Sequence, residues 1–235
     1  MPVTSSSLPA AGTESTRRSR GRPAVPLDRI LATALQLVDE EGAEALSMRT
    51  LAQRLESGTA TLYRHFTNRA VLIGHVVDRV LGEVELDSGA LAKMSWDQAC
   101  QALAQAMFDT LGKHLKVAPL LIEQTPIGPN AMMLRERCLA VLLDGGLSPG
   151  LAARAYATLA RYVLGFAIQL AGSGNGAEQK QVSEYFHNLS SAEYPATLAV
   201  ADSLPVPLED EFAFGLELII NGLRQLHSLG FDRGS

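Results

Sequence analysis

The chain has 235 residues, 47% of them apolar, enough to bury a sizeable core in one large domain or in two unequal ones. No uncharged apolar stretch approaches the roughly 20 residues of a membrane span, and MPVTSSSLPAAGTEST lacks the apolar segment of a secretion signal. A cytoplasmic protein with no membrane partner is expected. The net charge of -5 is unevenly spread: residues 1–80 carry 10 Lys and Arg against 8 Asp and Glu, the remainder 10 against 17. A polyanion can be met only at the N-terminal end.

Residues 1–24 are rich in Ser, Pro, Thr and Arg with almost nothing to bury, which predicts a disordered arm. Arg17, Arg18, Arg20 and Arg22 crowd its end. Arg20-Gly21-Arg22-Pro23 is similar to the AT-hook core, an extended strand suited to the narrow minor groove of A·T-rich DNA. From Leu27 the pattern turns helical. Ile30, Leu31, Ala34, Leu35 and Val38 share one face, and Gly42 stops the helix. Ser47 is placed to cap a short second helix with Leu51 and Leu55 inward. A break at Glu56-Ser57-Gly58 precedes a third helix, and a longer one is predicted from about Asn68 to Leu86.

Beyond it, helices are predicted over about 95–112, 116–124, 130–144, 148–172, 177–189 and 208–229, with a proline-punctuated loop over 190–207. Alternating β-branched residues are nearly absent, so the chain reads as all-α. Cys100 and Cys138 lie inside helical patterns, away from any metal-ligand spacing, and are expected to be buried free thiols.

The third helix, GTATLYRHF from Gly58 to Phe66, divides its residues by face. Leu62 and Phe66 are one turn apart and can pack on Leu51 and Leu55. Thr59, Ala60, Thr61, Tyr63 and Arg64 are left pointing outward with Gly58 at the leading end. Two short helices joined by a tight turn, the second with a small and polar outer face, suit a helix-turn-helix in a major groove. Arg64 can reach a guanine edge or a phosphate, Tyr63 a phosphate, and the threonine hydroxyls either. An ordinary surface turn of helix is the other reading of these residues taken alone.

The run Ser47 to Leu72 resembles the N-terminal signature of the TetR family of bacterial transcriptional regulators. The resemblance rests on Ser47-x-Arg49, Leu51-Ala52, Leu55, Thr61-Leu62-Tyr63-x-His65-Phe66 and the basic Arg69. FAFGLELIINGLRQL, from Phe212 to Leu226, is similar to the last helix of the tetracycline-repressor branch, as are Ser95-Trp96 and Gly165. The resemblance implies a three-helix DNA-binding domain over 25–70 and a larger helical domain over 71–235 for ligand binding and dimerisation. It adds Ser47, Arg49 and Arg69 to the candidate DNA contacts. The family's usual glycine, aliphatic residue and Ser cap after Leu55 are replaced here by Glu56, Ser57 and Gly58.

One recognition helix reads too few base pairs to select a site, so a homodimer on double-stranded operator DNA is expected. By resemblance, the last two long helices form its interface. A small-molecule effector is expected in the larger domain near Met107, Phe108, Leu111, Met133 and Phe166; plain core is the other role open to each. By the same resemblance His65 matches a histidine that reaches the drug in tetracycline repressors, a structural role being its alternative. The region Ala118 to Ile122 lacks the second, metal-binding histidine, which points to an uncharged or aromatic hydrophobic effector and to no metal or cofactor. His75, His114, His187 and His227 have no ligand-spaced partners, and no Ser/His/Asp or glycine-rich phosphate signature occurs, so the chain does not read as an enzyme. A helical dimeric small-molecule-binding protein or enzyme without DNA binding is the competing reading.

Overall fold

The computed structural model describes residues 25–85, 87–123, 125–172 and 176–230. The basic arm with Arg17, Arg18, Arg20 and Arg22 lies outside them. The described residues form twelve α-helices and three short 3-10 turns, with no strand.

Helix α1 (Leu27–Glu41) buries Ile30, Leu31, Ala34, Leu35, Leu37 and Val38 along one face. Gly42 ends it at φ 95°, a left-handed conformation that favours glycine, and donates its N–H to the Val38 carbonyl. Helix α2 (Met48–Arg54) opens in a reciprocal cap. The Ser47 hydroxyl accepts from the Thr50 N–H at 3.1 Å, and the Thr50 hydroxyl from the Ser47 N–H at 3.0 Å. Helix α3 (Thr59–Tyr63) is shorter than the sequence pattern suggests. Asn68 must turn to cap helix α4 (Arg69–Leu81) through the Val71 N–H, and that reversal cuts α3 off soon after its last anchor.

Helix α4 stops at Leu81, not near Leu86. Gly82 closes it on the carbonyls of Asp78 and Arg79, and the Asn130 side chain lies where a β-carbon on Gly82 would go. After the short helix α5 (Ser88–Leu91) come α6 (Trp96–Lys113), α7 (Leu120–Glu123), α8 (Pro129–Asp144) and α9 (Pro149–Gly172). They are followed by α10 (Gly176–His187), α11 (Pro195–Ala199) and α12 (Leu208–Ser228). The single helix expected over 116–124 is a 3-10 turn (Leu115–Val117) and then α7, because Pro119 interrupts the backbone hydrogen-bond ladder. The loop expected over 190–207 contains α11 and a 3-10 turn (Ala201–Ser203).

Helix α6 is the centre of the larger half, packed against α8, α9 and α12. The Phe108 ring stacks on Phe212 at 3.9 Å between centroids, and the Tyr162 hydroxyl donates to the Phe212 carbonyl at 2.8 Å. Helix α4 reaches both halves. It packs on α1 at one side and on α6 and α8 at the other.

Candidate DNA-reading face and effector cavity

Leu51, Leu62 and Phe66 are fully buried and Leu55 nearly so, which fixes α3 against α2. The turn between these helices closes without a glycine after Leu55. Glu56 itself takes the left-handed conformation, φ 50°, while the Ser57 N–H bonds the Ala52 carbonyl at 2.9 Å. A non-glycine residue there costs roughly 1 kcal/mol. The Ser57 hydroxyl is buried with no hydrogen-bond partner among the described residues.

Gly58, Thr59, Ala60, Tyr63 and Arg64 are exposed on the outer side of α3, and Thr61 is half-buried beside them. Arg49 is exposed on α2. Ser47 is half-buried and its hydroxyl is engaged in the α2 cap. Arg69 faces inward: its Nε donates to the Leu46 carbonyl at 2.7 Å and its terminal nitrogen to Ala43 at 3.0 Å. A guanidinium held by two backbone carbonyls braces the segment between α1 and α2. Arg54 is similarly occupied, bonding Glu40 and Glu41 of α1. Hydrogen bonds from Gln36 and then Arg54 hold the Glu40 carboxyl below its ordinary pKa.

The two halves meet through polar contacts on α4 and α6. Asp78, buried on α4, accepts from the Ala131 N–H at 2.9 Å and from the Asn130 amide at 3.1 Å, capping the first turn of α8. Gly128 lies so close to Asp78 that a side chain there would collide with the carboxylate. At the end of α6, His114 lies between Asp39 of α1 and Glu83 beyond α4, each at 2.9 Å. Burial opposes the imidazolium charge, but the hydrogen bonds to Glu83 and Asp39 outweigh it and raise the His114 pKa. Lys116 adds a hydrogen bond to the Glu40 carbonyl at 2.6 Å.

A cavity of about 620 Å³, including its mouth, lies among α4, α6, α7, α8 and α9. Its walls are Leu81, Met107, Leu111, Leu121, Ala131, Leu134, Cys138, Ala160 and Leu164, with Pro126, Arg135 and Tyr156 at the polar end. A second, much narrower pocket shares Met107, Cys138, Tyr156 and Ala160 with it and is also lined by Leu142 and Val163. Burial pushes the Cys138 thiol up to about 11 and the Cys100 thiol up to about 12, so both stay protonated near neutral pH.

Met107 and Leu111 thus line the cavity, whereas the other expected ligand residues do not. Phe108 is spent on Phe212, and Phe166 packs on Phe212 and Tyr162. Met133 is 55% exposed, because α8 turns Ala131, Leu134 and Cys138 inward and leaves Met133 on the outer side. His65 follows the end of α3 and is exposed. Its ring lies beside Phe66 at 6.0 Å, away from both chambers. Sequence reading missed Arg135 and Tyr156. The Arg135 Nε donates to the Tyr156 hydroxyl at 3.0 Å, a contact across 21 residues that periodicity does not signal.

Among the described residues no group of three or more His, Cys, Asp or Glu could hold a metal ion, and no helix is long and apolar enough to cross a membrane.

Residues 30–76 match the family described as bacterial regulatory proteins, tetR family, and residues 89–227 the tetracyclin repressor-like C-terminal domain. The chain is 32% identical over 221 residues to the HTH-type transcriptional repressor DrrR1 of Streptomyces coeruleorubidus, covering 89% of this chain and 82% of that one. It is 29% identical to the class E tetracycline repressor protein of Escherichia coli, covering 83% and 89% of the two chains. Among solved structures, ActR of Streptomyces coelicolor in complex with actinorhodin superposes with a TM-score of 0.76 at 34% identity, covering 86% of this chain and 98% of that one. The same protein in complex with (S)-DNPA gives 0.76 at 33% identity, covering 87% and 99%. The chain belongs to the TetR family of bacterial transcriptional regulators.

Proposed function

We propose that this protein is a cytoplasmic repressor that binds operator DNA as a homodimer and is released by a small hydrophobic or aromatic effector. The observation that carries the reading is one chain holding two complementary features. One is a polar face on α3 anchored by buried Leu62 and Phe66; the other is an apolar cavity of about 620 Å³ whose walls include α4. Gly58, Thr59, Ala60, Thr61, Tyr63 and Arg64 meet the major groove, with Arg49 on the flanking backbone. The ActR complexes support the cavity as the effector site, and DrrR1 supports repression as the sign.

Helices α9 and α12 supply the dimer surface. Phe214 and Leu218 of α12 are 64% and 57% exposed, one turn apart, and pairing two such helices from each protomer would cover them. Effector in the cavity shifts α4 and the separation of the two α3 helices. By linkage, operator DNA then weakens effector binding by the same factor.

Fluorescence anisotropy with the DNA upstream of the protein's own coding region, at two salt concentrations and with random competitor, tests the reading. Tight, selective and salt-steep binding that Arg64→Ala removes supports it. Binding indifferent to sequence, or unaffected by Arg64→Ala in a folded protein, contradicts it.

A further inference from the structure

The cavity is apolar over most of its wall, yet it carries one charge. Arg135 projects from α8 to the end bounded by Tyr156 and Pro126. Its guanidinium donates to the Tyr156 hydroxyl at 3.0 Å, to the Pro126 carbonyl at 3.3 Å and toward the Met132 sulfur at 2.9 Å. It also lies 5.8 Å from the centre of the Tyr156 ring. All of these partners are neutral, and among the described residues no carboxylate lies within ion-pairing distance of Arg135.

A half-buried guanidinium with only neutral acceptors remains undercompensated. The imbalance becomes costly when a bound molecule expels water from the cavity. A neutral apolar guest leaves the charge facing low-dielectric surroundings. A guest bearing an oxyanion instead forms a charge-assisted, two-pronged pair with the planar guanidinium, and the phenol of Tyr156 supplies a further donor.

Building on the reading of this cavity as the effector site, we propose that the effector is an apolar ring compound carrying one oxyanion group, held by Arg135 and Tyr156. Its apolar body lies along Leu81, Leu111 and Leu121, which line the same cavity. The sequence-based expectation of a hydrophobic or aromatic molecule keeps its apolar body and gains a negative charge. The guanidinium that takes the oxyanion also holds the Pro126 carbonyl. Pro126 is followed closely by Gly128, packed against Asp78 of α4. The anion therefore binds where a change in Arg135 is passed to the loop that docks on α4.

Two fluorescent probes of similar shape separate charge from apolar body: anilinonaphthalene sulfonate, which carries an oxyanion, and neutral N-phenylnaphthylamine. Each is titrated into the wild-type protein, Arg135→Met, Tyr156→Phe and the cavity-filling Ala160→Phe. The wild type is expected to bind the sulfonate at least about tenfold more tightly than the amine. Arg135→Met should remove that preference by weakening the sulfonate and retaining or tightening the amine, and the retained amine binding also reports an intact cavity. Tyr156→Phe should weaken the sulfonate by a smaller factor, and Ala160→Phe should weaken both probes. Equal affinities in the wild type, a preference that survives Arg135→Met, or sulfonate binding that survives Ala160→Phe would overturn the proposal. Adding each probe to the protein bound to its upstream DNA separates the two readings. Arg135-dependent binding that leaves the DNA complex intact preserves the oxyanion site and refutes its role as the effector site.

Discussion

The DNA-reading half and the cavity half are built on opposite packing rules. Around α3 the side chains of Ile30, Leu51, Leu62, Phe66 and Leu72 are completely buried, and the link between α1 and α2, residues 42–47, is pinned by the Arg69 guanidinium. Around α6 the helices enclose an unfilled space that reaches from Leu81 to Leu164. A filled core has one arrangement and moves as a body, whereas a hollow one has walls that can close on a guest. The two halves meet on α4, where Asp78 docks the first turn of α8, and at His114, which joins α6 to Asp39 and Glu83.

The strongest way to break this contrast is to hollow the filled half. Phe66→Ala should cost about 3–5 kcal/mol and remove DNA binding by loosening α3. Met107→Ala, at a half-buried wall of the cavity, should cost less and leave the reading face in place. Urea unfolding of the two variants checks the ordering, and equal losses would mean that the two halves are packed alike.

A smaller effect is expected at the surface of the filled half. Arg64→Ala should weaken DNA binding by about 1–3 kcal/mol with no change in unfolding midpoint, because Arg64 is exposed and carries no core contact. Anisotropy and thermal unfolding on the same sample separate contact from stability.

The turn leading into α3 sharpens the comparison in the opposite direction. Glu56→Gly should stabilise the protein by about 1 kcal/mol by relieving the left-handed conformation at φ 50°. A loss of stability on this substitution would show that contacts of the Glu56 side chain outweigh the backbone strain.

The smallest effect is the pH dependence of the contact between the halves. The His114 pKa in the folded protein is raised above its ordinary 6.5, so its contribution is full below that value and fades as pH rises through the raised one. The stability difference between wild type and His114→Gln should shrink as pH rises above His114's ordinary 6.5 and through its raised pKa. A difference that is flat or grows over that window would contradict the clasp. The effect is a fraction of a kcal/mol, because Asp39 and Glu83 are partly solvated.

The same contrast explains what was legible in the sequence. The α3 face is a local feature: Leu62 and Phe66 are one turn apart, and their partners Leu51 and Leu55 precede them by a few residues. Helical periodicity therefore resolves both the anchor and the outer face. The bracing role of Arg69 was not legible because its partners, the Ala43 and Leu46 carbonyls, are backbone atoms that no pattern of side chains reveals. The cavity draws its wall from five helices between Leu81 and Leu164, so lining and core residues share one apolar pattern. Phe108 and Met107 are neighbours in sequence, yet one stacks on Phe212 and the other faces the cavity. Arg135 looks like any charge on an amphipathic helix until Tyr156 is brought beside it.

The coupling of the two halves through α4 is tested most directly without any ligand. Gly128→Ala changes only the effector half, but its added methyl group collides with the Asp78 carboxylate and displaces the α8 docking site from α4. Anisotropy of upstream DNA should show affinity weakened about tenfold or more, with helical content by circular dichroism unchanged. A folded Gly128→Ala protein that binds the DNA as tightly as the wild type would contradict the account.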